Sequence, residues 1–495
     1  MIKKLYKRIV NRLTFILIFL MLQIALFFAV IYYFSEMLWQ LNTFFIIVSA
    51  IIIFFLLVKE ENPYYKVKWI IPILLFPVFG GVFYLLYRFR NLNPKTLNQH
   101  HEIERNRHYF VDNLNAASQS REARYLKRFG WPSYTETTPH FLDSGEAFFD
   151  ALLNDIKQAE RFIFIEFFII RPGKMWDALL KLLKEKASEG VEVVVIYDDF
   201  GSAAFSRKYP KTLKKYNIEV HIFNPIKLRL NFGGNYRDHR KITVIDGKIG
   251  YAVGNNIADE YINVVRPHGE WADSGIRLEG RAVWSLTLAF LDVLSFITPS
   301  SRDYNSYYNC YKTMSDGTVI PFAETPLDNE EVTKSLFLHL INNAQHSISI
   351  TTPYLIIDPE MKNALRHAAK SGVDVSIIIP KIPDKKIVYM VTESHLSLLL
   401  KDGVKIYKYT PGFMHAKMVI IDSQKAVIGS TNFDYRSLYL HFENGVYLEN
   451  STAIEAMDNY FIKSMERSKI IEEDDKYSLF YRFFQMFFRM FAGLM

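Results

Sequence analysis

The stretch Tyr236-Arg237-Asp238-His239-Arg240-Lys241-Ile242-Thr243-Val244-Ile245-Asp246 is answered later in the chain by Gly412-Phe413-Met414-His415-Ala416-Lys417-Met418-Val419-Ile420-Ile421-Asp422. Both copies read H-x-K-x4-D. The apolar run after each Lys has the composition of a buried strand, and in a strand residues i and i+2 share a face, so each His and its Lys point to one place. Working outward, the same order of elements surrounds both copies. An amphipathic stretch (Gly145 to Ala159; Val332 to Ala344) leads to an apolar run, then to a helix stopped by Gly190 or Gly372, then to the strand Val191 to Tyr197 or Val373 to Ile379. Helix and strand patterns in alternation predict an α/β fold, and the matched order predicts a duplication.

The residue types in the two motifs fit one chemistry. A phosphodiester is exchanged without a metal when one imidazole attacks phosphorus and another protonates the leaving oxygen. Two lysines beside them neutralise the phosphate oxygens as charge builds, with Asn side chains as further donors. The sequence therefore predicts one active site on the pseudo-twofold between the repeats, with His239 and Lys241 from one and His415 and Lys417 from the other. No cofactor and no metal is expected. A nucleophilic imidazole also needs an acceptor on its second ring nitrogen. Aligning Asp273-Ser274-Gly275-Ile276-Arg277-Leu278-Glu279 with Glu443-Asn444-Gly445-Val446-Tyr447-Leu448-Glu449 makes Asp273 and Glu443 equivalent, and both are expected to orient the histidines. Asp246 and Asp422 are counted with the catalytic groups, a structural role at the strand ends being the alternative. Asp198 and Asp199 follow a strand, where α/β sheets carry functional loops. Glu166 sits inside an apolar strand and needs a partner.

The chain resembles the phospholipase D superfamily, whose hallmark is two copies of H-x-K-x4-D-x6-G-S-x-N. The second copy fits throughout, with Gly429, Ser430 and Asn432 after Asp422; the first keeps Asn256 but has Val253-Gly254 in place of Gly-Ser. Within the superfamily it is similar to bacterial cardiolipin synthases, through Tyr197-Asp198-Asp199-Phe200-Gly201-Ser202, Thr352-Pro353-Tyr354, Gly412 to Lys417 and Asn432-Phe433-Asp434-Tyr435-Arg436-Ser437. The resemblance implies two pseudo-twofold-related repeats with mixed sheets flanked by helices. It implies His239 as nucleophile, His415 as general acid and then base, and substrate contacts from Asn256, Ser430 and Asn432. The implied reaction transfers a phosphatidyl group between two phosphatidylglycerol molecules through a phosphatidyl-histidine, giving cardiolipin and glycerol. A hydrolytic phospholipase D, or use of phosphatidylethanolamine as one substrate, is the alternative. Nucleases share the motifs, but the membrane segments argue against a nucleic-acid partner.

Those segments fill the N-terminus. Leu13 to Phe34 and Trp39 to Val58 are uncharged and long enough to cross a bilayer, and Leu13 to Phe34 is too long for a signal-peptide core. Trp69 to Tyr87 is a third candidate, interrupted by Pro72, Pro77, Gly80 and Gly81, so that a kinked span and a re-entrant hairpin both fit. Three spans would conflict with the positive-inside rule, because Arg88, Arg90 and Lys95 follow directly. The expected organisation is a membrane region at 1–90, a solvated linker at 91–127, repeats at 128–310 and 311–478, and an aromatic interfacial segment at 479–495, a terminal helix packed on the core being the alternative there, in a multi-pass protein of the bacterial plasma membrane facing anionic lipid. The chain has 59 Lys and Arg against 52 Asp and Glu, but residues 1–95 hold 11 against 3 and the remainder 48 against 49. The basic excess thus belongs to the membrane region and is no nucleic-acid footprint. The single cysteine, Cys310, excludes an internal disulfide and a Cys-rich zinc site.

Overall fold

The fold was described from a computed structural model, which covers residues 12–33, 38–59, 63–88, 94–112, 114, 117–205, 209–225, 236–299, 302–328, 330–472, 478–490 and 492. It divides into two units, residues 1–90 and 91–495.

The first unit is helical. Helices Arg12–Tyr33 and Leu38–Val58 match the two uncharged runs. Their described side chains cover 18–29 and 43–58, and among the described residues no helix is long and apolar enough to cross a membrane. The basic tail at 1–11 and the first loop lie outside the described residues. The third hydrophobic segment is broken in two. Helices Pro63–Leu75 and Pro77–Arg88 meet at Phe76, and the rings of Trp69 and Tyr84, one from each, stand 5.6 Å apart. The chain therefore folds back on itself, because Pro77 has no N–H to continue the first helix and its ring disfavours helical geometry before it.

In the second unit the first repeat supplies strands β1 (Thr137–Leu142), β2 (Phe162–Phe167), β3 (Glu192–Asp198), β4 (Ile218–Phe223), β5 (Arg237–Asp238), β6 (Lys241–Ile245), β7 (Ile249–Val253), β8 (Glu270–Ala272) and β9 (Gly275–Gly280). The second supplies β10 (Thr318–Glu324), β11 (Ser347–Thr351), β12 (Leu355–Ile356), β13 (Asp374–Pro380), β14 (Lys405–Tyr409), β15 (Gly412–Met414), β16 (Met418–Ile421), β17 (Lys425–Gly429), β18 (Phe433–Asp434), β19 (His441–Glu449) and β20 (Ser468–Ile470). One sheet runs β1-β9-β7-β6-β2-β3-β4 and the other β10-β19-β17-β16-β11-β13-β14-β20. Apart from β20, the two orders are the same order. Each mixes parallel pairs, such as β2 with β3, and antiparallel pairs, such as β2 with β6.

Residues from both sheets share one apolar core, exemplified by Phe164 and Ile196 in the first and Ile350 and Ile377 in the second. Helix Val283–Ile297 is buried at every position from Val283 to Leu294, which explains why its sequence is apolar all round. Helices Gly145–Lys157 and Lys174–Ser188 cover the other face of the first sheet.

The repeats are joined by exchanged strands. β5 pairs in parallel with β19, His441 opposite Arg237, and β15 pairs in parallel with β8, Gly412 opposite Glu270. Each exchanged segment immediately precedes an H-x-K motif. The segment read as a solvated linker is instead partly packed structure. Helix Pro94–Val111 buries Arg107, which pairs with Asp292 at 2.6 Å and lies over the Trp131 ring. Helix Arg121–Arg128 buries Glu122, Ala123 and Leu126. Polar composition misled because the buried positions here are filled by charges with partners.

A Cβ at Gly412 would stand 2.1 Å from the Glu270 carbonyl oxygen. Gly412→Val should therefore part β15 from β8 and cost about 2 kcal/mol by overpacking, read as a lower thermal midpoint together with lost activity. An unchanged midpoint would remove this pairing from the forces that join the repeats.

Candidate active site

The exchanged strands determine where the histidines stand. The His239 N–H donates to the Phe442 carbonyl at 2.9 Å, and the next residue is Glu443. The His415 N–H donates to the Ala272 carbonyl at 2.7 Å, and the next residue is Asp273. This register sets each imidazole beside a carboxylate of the other repeat. His239 Nδ1 lies 2.9 and 3.0 Å from the two Glu443 oxygens, and His415 Nδ1 lies 2.5 Å from Asp273 Oδ2. An ionised carboxylate only accepts, so each Nδ1 carries the proton and each Nε2 offers its lone pair.

All four groups are buried, Glu443 and Asp273 completely and the histidines to 8% and 7% exposure. Burial, then Lys241, drives the His239 pKa well below the ordinary value; burial, then Lys417, brings His415 to about 4. Both rings are neutral at pH 7 without substrate. Lys241 and Lys417 are buried beside them, their ammonium groups donating to the carbonyls of His239 and His415. Burial lowers Lys241 to about 7 and Lys417 to about 8. The charge of Lys417 in the second repeat bears on His239 in the first, so the two halves form one electrostatic unit. Aromatic walls complete it. Phe168 and His441 lie 5.1 and 5.4 Å from the His239 ring, and Trp271 and Tyr261 lie 5.2 and 5.4 Å from the His415 ring.

The departure at Val253-Gly254 has a physical reason. Ser430 donates to Glu443 and accepts the Asn444 N–H at 2.9 Å. At the matching position a Cβ on Gly254 would stand 2.2 Å from Asp273 Oδ1. The shorter Asp fills the space that the serine side chain takes beside the longer Glu, so Gly goes with Asp and Ser with Glu.

The contacts of Asp246 and Asp422 fit the structural alternative at the strand ends. Asp246 accepts the N–H groups of Glu160, Arg161 and Phe162 at 2.7–2.9 Å, and Asp422 those of Gln345, His346 and Ser347 at 2.7–2.8 Å. Each lies five residues past its lysine, about 16 Å along an extended strand. Both carboxylates thus tie the end of the motif strand to the start of the neighbouring one and stand away from the histidines. Asn256 accepts from Ile169 N at 2.9 Å and donates to Tyr261 at 2.7 Å, while Asn432 donates to Asp434 at 3.2 Å and leaves its oxygen buried without a partner. Glu166 finds its partner in Arg240 at 2.8 Å, and Asp198 holds Arg237 at 3.4 Å and the Asp238 N–H at 3.2 Å. The two acids brace the motif strand on either side of His239.

Sequence reasoning missed His441 and Trp271. The alignment that paired Glu443 with Asp273 also pairs these two rings, each two residues before its carboxylate. His239, His441 and Glu443 bring three donor atoms within 4.8 Å of one another, a set able to ligate a cation, but Lys241 and Lys417 oppose positive charge there.

Two crossed His–carboxylate pairs with two lysines, on a duplicated α/β fold, define a phospholipase D-like protein. Residues 152–264 and 337–465 match the family described as cardiolipin synthase, PLD-like domain, and residues 44–88 match the phospholipase D-nuclease N-terminal family. An uncharacterized protein of Streptococcus mutans is 38% identical over 81% of this chain and 90% of its own length. Cardiolipin synthase of Halalkalibacterium halodurans is 32% identical over 88% of this chain and 90% of its own. The chain belongs to the phospholipase D-like cardiolipin synthase family. Phosphatidylserine synthase of Haemophilus influenzae shares the fold, with a TM-score of 0.58 and 13% identity over 79% of this chain and all of its own.

Asp246→Asn removes the charge that three N–H groups share and should cost about 2 kcal/mol, seen as a lower thermal midpoint at pH 7. The lowered Asp422 pKa makes that carboxylate's contribution complete above the ordinary carboxylate range and lost as pH falls through the folded-state value. Asp422→Asn should accordingly flatten the acid side of the stability profile; an unaltered profile would contradict the anchoring role.

Proposed function

We propose that this protein is a membrane phosphatidyltransferase that joins two phosphatidylglycerol molecules into cardiolipin and releases glycerol. The observation that carries the reading is the pair of crossed histidine–carboxylate contacts flanked by two lysines. In the first half-reaction His239 Nε2 attacks phosphorus, the bond to the glycerol headgroup breaks, and His415 gives its proton to the leaving oxygen. In the second, His415 takes the proton of the acceptor hydroxyl, whose oxygen attacks phosphorus and frees His239. The 2.5 Å contact of His415 with Asp273, against 2.9 Å at His239, favours the charged ring at His415 and supports it as the acid. The entering phosphodiester anion supplies the charge that raises His415 for protonation. Lys241 and Lys417 neutralise the phosphate oxygens. Ser430 acts on substrate through Glu443, and Asn256 through the wall residue Tyr261. Asn432, with its unpartnered oxygen, is the substrate-facing member of the three.

The same reading makes the protein multi-pass. Helices of 22 and 21 residues rise about 33 and 31 Å, the thickness of a hydrocarbon core. Many of their described apolar side chains, Phe19, Leu22, Phe28, Phe54 and Phe55 among them, are exposed, as suits lipid rather than water, while Ile52 and Leu56 are buried. The hairpin at Phe76 is re-entrant and returns the chain to the side of the basic tail, which removes the conflict with Arg88, Arg90 and Lys95. The active site then faces the cytoplasm. Repeats at 128–310 and 311–478 form the catalytic unit, and helix Leu479–Arg489 lies in the interface, with Leu479, Phe480, Phe483, Met486 and Phe487 exposed.

Purified protein given labelled phosphatidylglycerol should yield cardiolipin and glycerol in equal amounts. Phosphatidic acid as the only lipid product would make it a hydrolase, and cardiolipin formed only after adding phosphatidylethanolamine would change the second substrate. Either His→Ala substitution should lower kcat by at least about 1,000-fold. Because burial lowers both lysines, kcat/KM should fall as pH rises through about 7 to 8. Lys241→Arg, which removes the lower of the two values, should move that limb upward; a limb unchanged in this variant would mean another group titrates.

A further inference from the structure

Outside the catalytic centre, the second repeat holds a group of bases without acids. His395, on helix Lys386–Lys401, is 1% exposed, and neither ring nitrogen has a hydrogen-bond partner. Lys362, in the first turn of helix Pro359–Lys370, is 6% exposed. The positive charges of Lys362 and Arg489 both bear on the His395 ring, and those of Arg489 and Arg366 bear on Lys362, opposed less strongly by Asp358. Burial, then these neighbours, drives His395 well below its ordinary pKa and Lys362 to about 8. Gln485 is buried with an unpartnered Nε2.

The acids nearby are already committed. Asp358 contacts Lys334 at 3.2 Å, Glu393 contacts Lys408 at 3.2 Å and Tyr481 at 2.7 Å, and Asp402 holds Arg366. Among the described residues Lys362 and Arg489 have no ion pair. Buried donors without acceptors, and like charges without a counterion, both cost free energy that an anion would recover.

Helix Leu479–Arg489 gives the site its setting. Tyr481, Gln485 and Arg489 recur at every fourth residue and so share one face. Tyr481 meets Glu393 on the helix that carries His395, so Gln485 and Arg489 turn toward the same cluster. The other face carries Leu479, Phe480, Phe483, Met486 and Phe487, all exposed. An apolar face toward hydrocarbon and a buried basic cluster one helix thickness beneath it match the two ends of an anionic phospholipid.

We propose that Lys362, His395, Gln485 and Arg489 form a binding site for the phosphate group of an anionic phospholipid, distinct from the catalytic centre, which fixes the C-terminal helix to the membrane surface. The proposal rests on the interfacial reading of that helix.

The test uses detergent-solubilised full-length protein carrying His239→Ala and His415→Ala, so that no lipid is turned over. Dihexanoyl phosphatidylglycerol should slow amide exchange in 386–401 and 479–489 by about threefold or more, and dihexanoyl phosphatidylcholine should not. Lys362→Gln with Arg489→Gln should abolish the slowing. Arg489→Gln alone, at the end of its helix where folding is not at stake, should raise the half-saturating concentration about tenfold. Slowing that survives both variants, or none with phosphatidylglycerol, overturns the site. Inorganic phosphate is the second arm: slowing as strong as with the lipid overturns the lipid source and leaves a free-phosphate site. A spin label at Phe483→Cys, in a Cys310→Ser background, that shows no contact with lipid-borne relaxation agents in vesicles while the short-chain lipid effect is intact overturns the interfacial reading while the anion site stands.

Discussion

Two backbone hydrogen bonds govern the active site: His239 N–H to Phe442 and His415 N–H to Ala272. A strand register is a discrete quantity, and a slip of one residue would turn each carboxylate to the opposite face. Because both bonds join one repeat to the other, neither half holds a complete histidine pair. Duplication thus produced one site rather than two, and the ties made by Asp246 and Asp422 at the far strand ends keep the motif strands in place for it. Glu166, Arg240 and Asp198 serve the same end near His239, which is why a carboxylate tolerates the interior of β2.

The spacing of helix, glycine stop and strand made the duplicated α/β fold legible, and H-x-K drew attention to four side chains that the fold brings together, because strand periodicity aligns i with i+2. Position in the aligned strands also drew Asp273 and Glu443 together with the histidines. What one repeat's pattern could not express was the crossing: alternation along a strand says which face a residue takes, and nothing about which chain segment pairs beside it. For Asp246 and Asp422 the pattern left a catalytic and a structural role both open, for a related reason. They recur in the motif as regularly as the histidines do, because a strand end that must be tied twice needs the same acid twice. The polar stretch from Asn91 to Lys127 misled because Arg107 and Glu122 are buried with partners, and composition alone does not reveal a partner distant in sequence.

Charge is partitioned along the chain in a way that the whole-chain balance conceals. The positive excess lies with the N-terminal region, while the catalytic unit is nearly balanced and keeps its phosphate-binding charge on two buried lysines. Burial makes those lysines easier to deprotonate and the histidines harder to protonate, so the resting site is less charged than its residue list implies. An arriving phosphodiester reverses both effects. The aromatic residues Phe168, Trp271 and Tyr261 pack around the two imidazole rings and leave less room there for water.

In the proposed reaction a carboxylate of the second repeat prepares the nucleophile of the first. Rapid quench of the protein with phosphatidylglycerol, followed by mass spectrometry of the peptide containing His239, measures the phosphatidyl-histidine directly. The expected result is an adduct on His239 in the parent protein and a rate of formation at least about 100-fold lower in Glu443→Gln. An adduct that forms at the parent rate in Glu443→Gln, or that appears on a different histidine, would contradict it.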